Sequence, residues 1–308
     1  MSKVVITGVS GSLGTYLAAN LLGRGYEVVG ISRTNPEIAG VRHVSQDLTK
    51  PSGIRFDSDW TVVNCAAVTR DGWSRELESQ NLEITRNALA LGGGAFVQVS
   101  SSSVYNLCKP SMVVTEDEAP GEYEFLNSYS RSKFETEKLV AVSAAVPFLI
   151  LRPHALIGPT DNTLGPRVQR AIRNGKLRLP GAGEASHEFT SFENFSHAVE
   201  LAIQSLEVGV VSNHTINVSN GVSTTISQAI KDGLAPDSPR IVGVPVWLAW
   251  ALAAVVERFA SDGSEPRLSR YQVAQLAFDR SYDLTAAREL LGYSPNNSVW
   301  SHLPESNW

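Results

Sequence analysis

The chain has 308 residues, with 26 Lys+Arg against 31 Asp+Glu, a net charge of −5 and 43% hydrophobic residues. That composition folds into a core and excludes a disordered chain. The mild acidity and the lack of any basic run argue against nucleic acid or an anionic surface as a partner.

In chain order, Val4–Thr7 reads as a short β-rich strand. Leu13–Leu22 follows as a helix, with Leu13, Leu17 and Leu21 at helical spacing. Glu27–Ile31, Val41–Val44 and Thr61–Asn64 read as strands, and Ser74–Leu91 as a helix. Ala95–Val99 is a strand, Ser128–Ser143 a helix and Phe148–Leu151 a strand. Such alternation predicts an α/β fold, a Rossmann-type doubly wound parallel sheet covered on both faces. Beyond Gly158-Pro159 the alternation weakens, and helical patterns occupy 165–174, 192–206, 245–259 and 284–291. Short strands are expected at His214–Val218 and Ile241–Val242. We therefore expect a dinucleotide-binding domain over 1–158 and a smaller, mostly helical substrate lobe over 159–308, with some segments returning to the sheet. The longest apolar run, Val244–Val256, is shorter than the roughly 20 residues of a spanning helix, so no membrane span is expected. Two cysteines, Cys65 and Cys108, cannot build a disulfide framework, which points to a reducing, cytoplasmic setting.

The first strand ends in Thr7-Gly8-Val9-Ser10-Gly11-Ser12-Leu13-Gly14, and a helix follows. Glycines there allow a tight turn and let backbone N–H groups approach a pyrophosphate, while the helix N-terminus adds partial positive charge. The second strand ends in Ser32-Arg33 with no carboxylate. A carboxylate would bind the ribose 2′-hydroxyl of NAD, whereas an Arg accommodates the 2′-phosphate of NADP. NADP is the preferred cofactor on this reading, with NAD as the alternative.

Tyr129 and Lys133 stand four residues apart at the start of a helix, hence on one face. A cation one turn from a phenol favours the phenolate and makes it a usable acid or base. Four serines, Ser100–Ser103, follow Val99 at the carboxyl end of a strand, where ligands of an open parallel sheet bind. A hydroxyl there can hold a substrate oxygen, and chemistry alone leaves open which serine does so.

With these segments in place, the chain resembles an extended short-chain dehydrogenase/reductase of the NAD-dependent epimerase/dehydratase superfamily. The cofactor loop Thr7–Gly14, Asp47-Leu48, Asn64-Cys65-Ala66-Ala67, Asn81, Tyr129 with Lys133, Leu151–Pro159 and Asp283–Pro295 all match elements of that pattern. The resemblance implies that Asp47 and Leu48 meet the adenine, that Cys65, Ala66, Ala67 and Asn81 lie under the cofactor, and that Val99, Pro153 and Leu156 border the nicotinamide. It also implies that Ser101, four residues before Tyr105, is the catalytic hydroxyl beside Tyr129 and Lys133. The implied chemistry is hydride transfer at a carbon bearing oxygen, with Tyr129 as acid or base, Ser101 orienting the oxygen and Lys133 tuning Tyr129.

Within the superfamily, Arg152–Pro159, Thr163–Arg167, Phe189–Phe195 and Glu265–Tyr271 are similar to the 3β-hydroxysteroid dehydrogenase-like branch. That branch implies a hydrophobic, steroid- or polyketide-like ketone or alcohol as the small-molecule substrate. Ser102, Ser103, His154, His187 and Trp247 are the candidate substrate contacts, Trp247 lying on an apolar helix that covers a greasy site in that branch. The alternative is a nucleotide-sugar epimerase, dehydratase or reductase. Its usual diphosphate-contacting Asn is replaced here by Ala155, and Ser186-His187-Glu188 stands where an Arg is customary. A non-catalytic NADP-binding sensor is the reading from another class, and such chains typically lose the Tyr/Lys pair that this one keeps. The six histidines show no ligand spacing, so no metal is expected. The resemblance further implies a homodimer, joined through the helices at 74–91 and 128–143.

Overall fold

The computed structural model describes residues 1–120, 125–159, 161–234 and 237–296. The end of the expected second lobe, 297–308 with His302, lies outside the described residues. The first half runs β1 (Lys3–Thr7), α1 (Ser12–Gly23), β2 (Glu27–Ser32), β3 (Arg42–Ser45), β4 (Trp60–Asn64), α2 (Arg75–Leu89), β5 (Ala95–Val99), β6 (Ser111–Val114), α3 (Ser128–Ser143) and β7 (Phe148–Pro153). The second half runs β8 (Leu156–Ile157), α4 (Leu164–Ala171), β9 (Lys176–Pro180), β10 (Ser186–His187), β11 (Thr190–Ser191), α5 (Phe192–Glu207), β12 (His214–Val218) and β13 (Thr224–Thr225). It closes with α6 (Ile226–Gly233), β14 (Arg240–Val244), α7 (Val246–Arg258), α8 (Arg270–Ala277), β15 (Arg280–Tyr282) and α9 (Thr285–Leu291).

Seven strands form one sheet in the order β12-β7-β5-β4-β1-β2-β3, and every neighbouring pair is parallel. Successive side chains of a strand point to opposite faces, and the two cores follow from that period. Val4 and Ile6 pack with Leu17 and Leu21 of α1 and with Phe195 and Val199 of α5. Val5 faces the other way, onto Ile84 and Ala88 of α2 and Val140 of α3. Burial on both sides explains why β4 and β5 carry no exposed residue.

The chain leaves β1 toward β2 and β3, then returns to lay β4 and β5 on the other side of β1. Strand order therefore reverses between β1 and β4, and the crevice outside the carboxyl ends of these strands is where such folds bind ligands. Thr7 and Asn64, aligned partners in the register, mark that point.

Traffic across residue 158 runs both ways. β12 and α5 join the first sheet and its core, whereas β6 joins β13, β10 and β15 in a second, four-stranded sheet. Two small parallel pairs, β11 with β8 and β14 with β9, tie the lobe together. The helix expected at 165–174 stops at Ala171, because Asn174 (φ 51°) and Gly175 (φ 68°) turn the chain back into β9. Apart from Ile241–Val242 within β14, the short strands of the lobe and the helices α6 and α8 carry no readable period, since each spans only a few residues.

Candidate active site

At the switch point the glycine loop forms a shallow cradle. Gly8 sits at φ 68° and donates its N–H to the Ile31 carbonyl at 2.8 Å. A Cβ on Gly8 would lie 2.8 Å from the Ala66 backbone, and one on Gly14 would lie 2.3 Å from the Gly8 oxygen. Only glycine fits at either place. Gly11 caps α1 without a side-chain hydrogen bond, so the Leu13 and Gly14 amides stay directed at whatever occupies the cradle. Ser12 Oγ accepts from the Asn162 amide at 3.2 Å, which brings the segment before α4 against this loop. Ser10 lies exposed in the turn.

The floor is a buried polar ladder. Thr7 Oγ1 donates to Asn64 Oδ1 at 2.5 Å, and Asn64 Nδ2 to Gln98 Oε1 at 2.9 Å. Thr7 Oγ1 also accepts from the Ala66 N–H at 3.3 Å. Asn81 accepts from the Val68 amide at 2.7 Å and donates to the Val68 carbonyl at 3.1 Å and to Ser132 Oγ at 2.9 Å. These bonds fix the Cys65-Ala66-Ala67 segment beside the cradle. Burial pushes the Cys65 thiol up to about 12, which keeps it an inert packing group.

At the far end of the crevice, Asp47 accepts from the Thr49 amide at 3.0 Å and the Thr49 hydroxyl at 2.8 Å. Those bonds hold its carboxyl below the usual range. Leu48 beside it is buried, its carbonyl held by Asn87 Nδ2 at 2.8 Å. Arg33 is exposed. Ser32 does not share that exposure: its hydroxyl donates to the Thr34 carbonyl at 2.7 Å and lies 3.0 Å from His43 Nε2. The expected Ser32 contact to a phosphate is thus spent inside the protein, because β3 places His43 alongside it.

Tyr129 and Lys133 share one face of α3, whose first turn is capped by Asn127 Oδ1 accepting from the Ser130 amide at 2.9 Å. Lys133 is 5% exposed, and its Nζ donates to the Val99 carbonyl at 2.8 Å while standing 5.9 Å from the centre of the Tyr129 ring. Desolvation brings the ammonium down to about 8, against the pull of Cys65 and Glu137. Desolvation also pushes the Tyr129 phenol up, opposed by the Ser101 hydroxyl and the Arg167 charge. Ser101 Oγ accepts from the Ser103 hydroxyl at 2.8 Å and the Ser103 amide at 3.2 Å. With its acceptor sites filled, the Ser101 hydroxyl keeps its proton to donate, and the Tyr129 oxygen is the partner within reach. One turn beyond Lys133, Glu137 holds the buried Arg152 through Nε at 2.9 Å and Nη2 at 2.7 Å, anchoring α3 to β7.

Three expected substrate contacts, Ser102, His154 and His187, are joined in one hydrogen-bonded chain. Ser102 Oγ is 2.8 Å from His154 Nδ1, Tyr282 Oη 2.9 Å from the same nitrogen, and His154 Nε2 2.8 Å from His187 Nδ1. Neutral rings make this chain: the Ser102 hydroxyl donates to Tyr282 Oη, the single lone pair of His154 Nδ1 accepts the Tyr282 proton, and His154 Nε2–H donates to His187 Nδ1, which leaves His187 Nε2 buried with no partner among the described residues. Burial lowers both imidazoles, His187 to about 4, which keeps them neutral. Ser102, His154 and His187 are thus linked to Tyr282 of the second sheet. Ser103 supports Ser101, as above. Trp247 is 72% exposed, because α7 turns Ala249 and Ala253 inward and position 247 falls on the opposite side. Trp250 is the tryptophan that packs inward, against Tyr271 and Phe278. Pro153 is buried at the end of β7, and Leu156 packs at the edge of the main core.

Tyr271, Asp71 and Arg167 had no assigned role in the sequence. Tyr271 of α8 lies beside Tyr129 and Ser103, and burial pushes its phenol up. Asp71 is buried, accepting from Asn127 Nδ2 at 2.8 Å and from Ser269 Oγ at 2.5 Å. It ties the start of α3 to the start of α8, and so Tyr129 to Tyr271. Arg167 of α4 pairs with Glu265 at 2.8 Å. The signal available was position: Arg167, Glu265 and Tyr271 all fall in segments that carry the resemblance.

A family model described as "NAD dependent epimerase/dehydratase family" matches residues 4–219. The "Uncharacterized protein YbjS" of Escherichia coli (strain K12) is 32% identical, across 95% of this chain and 93% of its own. A "2-alkyl-3-oxoalkanoate reductase" of Stenotrophomonas maltophilia (strain K279a) is 29% identical, across 96% of each chain. A "Sterol-4-alpha-carboxylate 3-dehydrogenase, decarboxylating" of Mus musculus is 28% identical, across 95% of this chain and 86% of its own. Among solved structures, the UDP-glucuronic acid 4-epimerase of Bacillus cereus superposes with a TM-score of 0.72 at 20% identity, covering 97% of this chain and 96% of its own, which speaks to the fold alone.

Proposed function

Since the chain belongs to the NAD-dependent epimerase/dehydratase family, we propose that it is an NAD(P)-dependent oxidoreductase acting on a ketone or secondary alcohol of a hydrophobic small molecule. The observation that carries this reading is the convergence of Tyr129, Lys133 and Ser101 at the carboxyl end of β5, beside a glycine cradle that no side chain could fill. A dinucleotide fits that cradle: the amides at the start of α1 would hold its pyrophosphate, and the two remaining Lys133 donors would hold the nicotinamide ribose. When bound, the nicotinamide supplies or accepts the hydride.

The protein's own part is proton and charge management. In reduction, Tyr129 donates its phenolic proton to the carbonyl oxygen, and in oxidation it takes the alcohol proton. The Ser101 hydroxyl, bonded to Tyr129 in the structure, turns its proton to the same substrate oxygen and supports its developing charge. Lys133 stabilises the phenolate that remains. The burial that raises the Tyr129 phenol keeps it protonated and ready to donate.

Exposed Arg33, with no carboxylate beside it at the end of β2, supports a preference for NADP. The family resemblance supports a homodimer through α2 and α3, which sedimentation would detect as twice the chain mass. For substrate, the named activities of two relatives are a guide. Both work at an oxygen-bearing carbon of a largely hydrocarbon molecule, an alkylated oxoalkanoate in one and a sterol in the other. The test is a panel of 3-oxo and 3-hydroxy compounds against UDP-sugars, followed by NAD(P)H absorbance. Turnover of the former supports the reading, and turnover of UDP-sugars alone overturns it.

A further inference from the structure

We propose that Arg167 is the specificity-determining residue that receives a substrate carboxylate, two carbon–carbon bonds from the carbon that Tyr129 serves. The inference rests on the oxidoreductase reading and deepens it. Both named relatives act on molecules that carry a carboxylate at this spacing: a 3-oxoalkanoate, and a sterol with carboxylate on C4 and reaction at C3. A site for such a molecule needs a cation near Tyr129 that is not Lys133, since Lys133 is committed to Val99 and the ribose position.

Arg167 meets that need by its place. Its helix α4 begins at a segment that Asp161 caps, through the amides of Thr163, Leu164 and Gly165 at 2.8–3.1 Å. The same segment touches the glycine loop through Asn162 and Ser12. From there Arg167 spans to Glu265, which precedes the stretch that delivers Ser269 to Asp71 and Tyr271 to Tyr129. The ion pair thus joins the cofactor side of the crevice to its substrate-lobe wall. Arg167 is half-exposed and gives only Nη2 to Glu265, which leaves the other guanidinium donors for a second carboxylate. Its charge reaches the Tyr129 phenol, consistent with that placement. An Arg fork binds a carboxylate in two parallel hydrogen bonds, which would fix the orientation of the acid as well as its charge.

The test compares a 2-alkyl-3-hydroxyalkanoic acid with its methyl ester, oxidised by the whole protein with NADP+ and with NAD+. We expect the wild type to favour the acid in kcat/KM. Arg167→Gln should lower kcat/KM for the acid on the order of 10–100-fold, chiefly through KM, and the ester far less, so that the preference collapses. Arg167→Lys should keep part of it. Glu265→Gln removes a competing carboxylate and should preserve or raise the preference. Equal wild-type rates for acid and ester overturn the proposal while leaving the oxidoreductase reading intact, whereas turnover of neither overturns both. A preference that survives Arg167→Gln, or that falls as far in Glu265→Gln, also overturns it, the latter by showing that the pair is only a strut.

Discussion

The Lys133 ammonium lies 5.9 Å from the centre of the Tyr129 ring and is fixed there by a 2.8 Å bond to the Val99 carbonyl. A strand end thus sets the position of a helix side chain beside the phenol ring. Tyr129→Phe removes the proton donor and keeps the ring. We expect kcat to fall by about 10²–10⁴-fold, with coenzyme affinity, read by NADPH fluorescence titration, unchanged.

On the proposed mechanism, the same ammonium sets the upper pH limit. Burial brings Lys133 down to about 8, so it is charged below that value and neutral above it. The charged form supports the Tyr129 phenolate, and kcat/KM for reduction should therefore fall as pH rises through 8. A profile that stays level from pH 7 to 10 would contradict this role.

The buried histidines make folding sensitive to acid. His187 is lowered to about 4 in the fold and titrates near 6.5 unfolded. Between those values the unfolded chain binds the extra proton, so stability declines as pH drops from 6.5 toward 4, by on the order of 3 kcal/mol for this group. His154 acts in the same direction. Thermal unfolding should show the decline in the wild type and a shallower one in His187→Asn.

The Arg152–Glu137 pair is buried on both sides, at 5% and 6% side-chain exposure. Glu137→Ala leaves the guanidinium without a carboxylate, holding only the Tyr105 hydroxyl and the Glu116 carbonyl. We expect a loss of about 3–5 kcal/mol, seen as an earlier urea midpoint with the slope unchanged.

Arg33→Asp places a carboxylate where the 2′-phosphate of NADP would sit. The ratio of kcat/KM for NADPH to that for NADH should drop at least tenfold, and an unchanged ratio would remove Arg33 from coenzyme selection.

How far the sequence was legible depended on distance along the chain. Gly8–Gly14 and Tyr129/Lys133 are local patterns, readable because one turn or one helix face joins their parts. The parallel sheet was legible for a similar reason, as each strand is a short apolar run. Links between remote segments were not. Asp71 with Ser269, Arg167 with Glu265, and Ser102 with His154 and His187 meet only after the lobe has folded onto the sheet. His154 and His187 illustrate the cost: polar residues in the expected substrate segments, they bond each other inside the protein and leave His187 Nε2 buried without a partner among the described residues. Trp247 illustrates the reverse, since an apolar helix does not announce which side it turns inward.

The most direct measurement follows the hydride itself. The protein is incubated with a 2-alkyl-3-oxoalkanoic acid and NADPH carrying deuterium at the transferable C4 position, and the alcohol is examined by mass spectrometry. The account predicts one deuterium at the new carbinol carbon with wild-type protein and almost none with Tyr129→Phe. NADPH oxidised with no deuterium in the alcohol, or transfer by Tyr129→Phe at the wild-type rate, would contradict it.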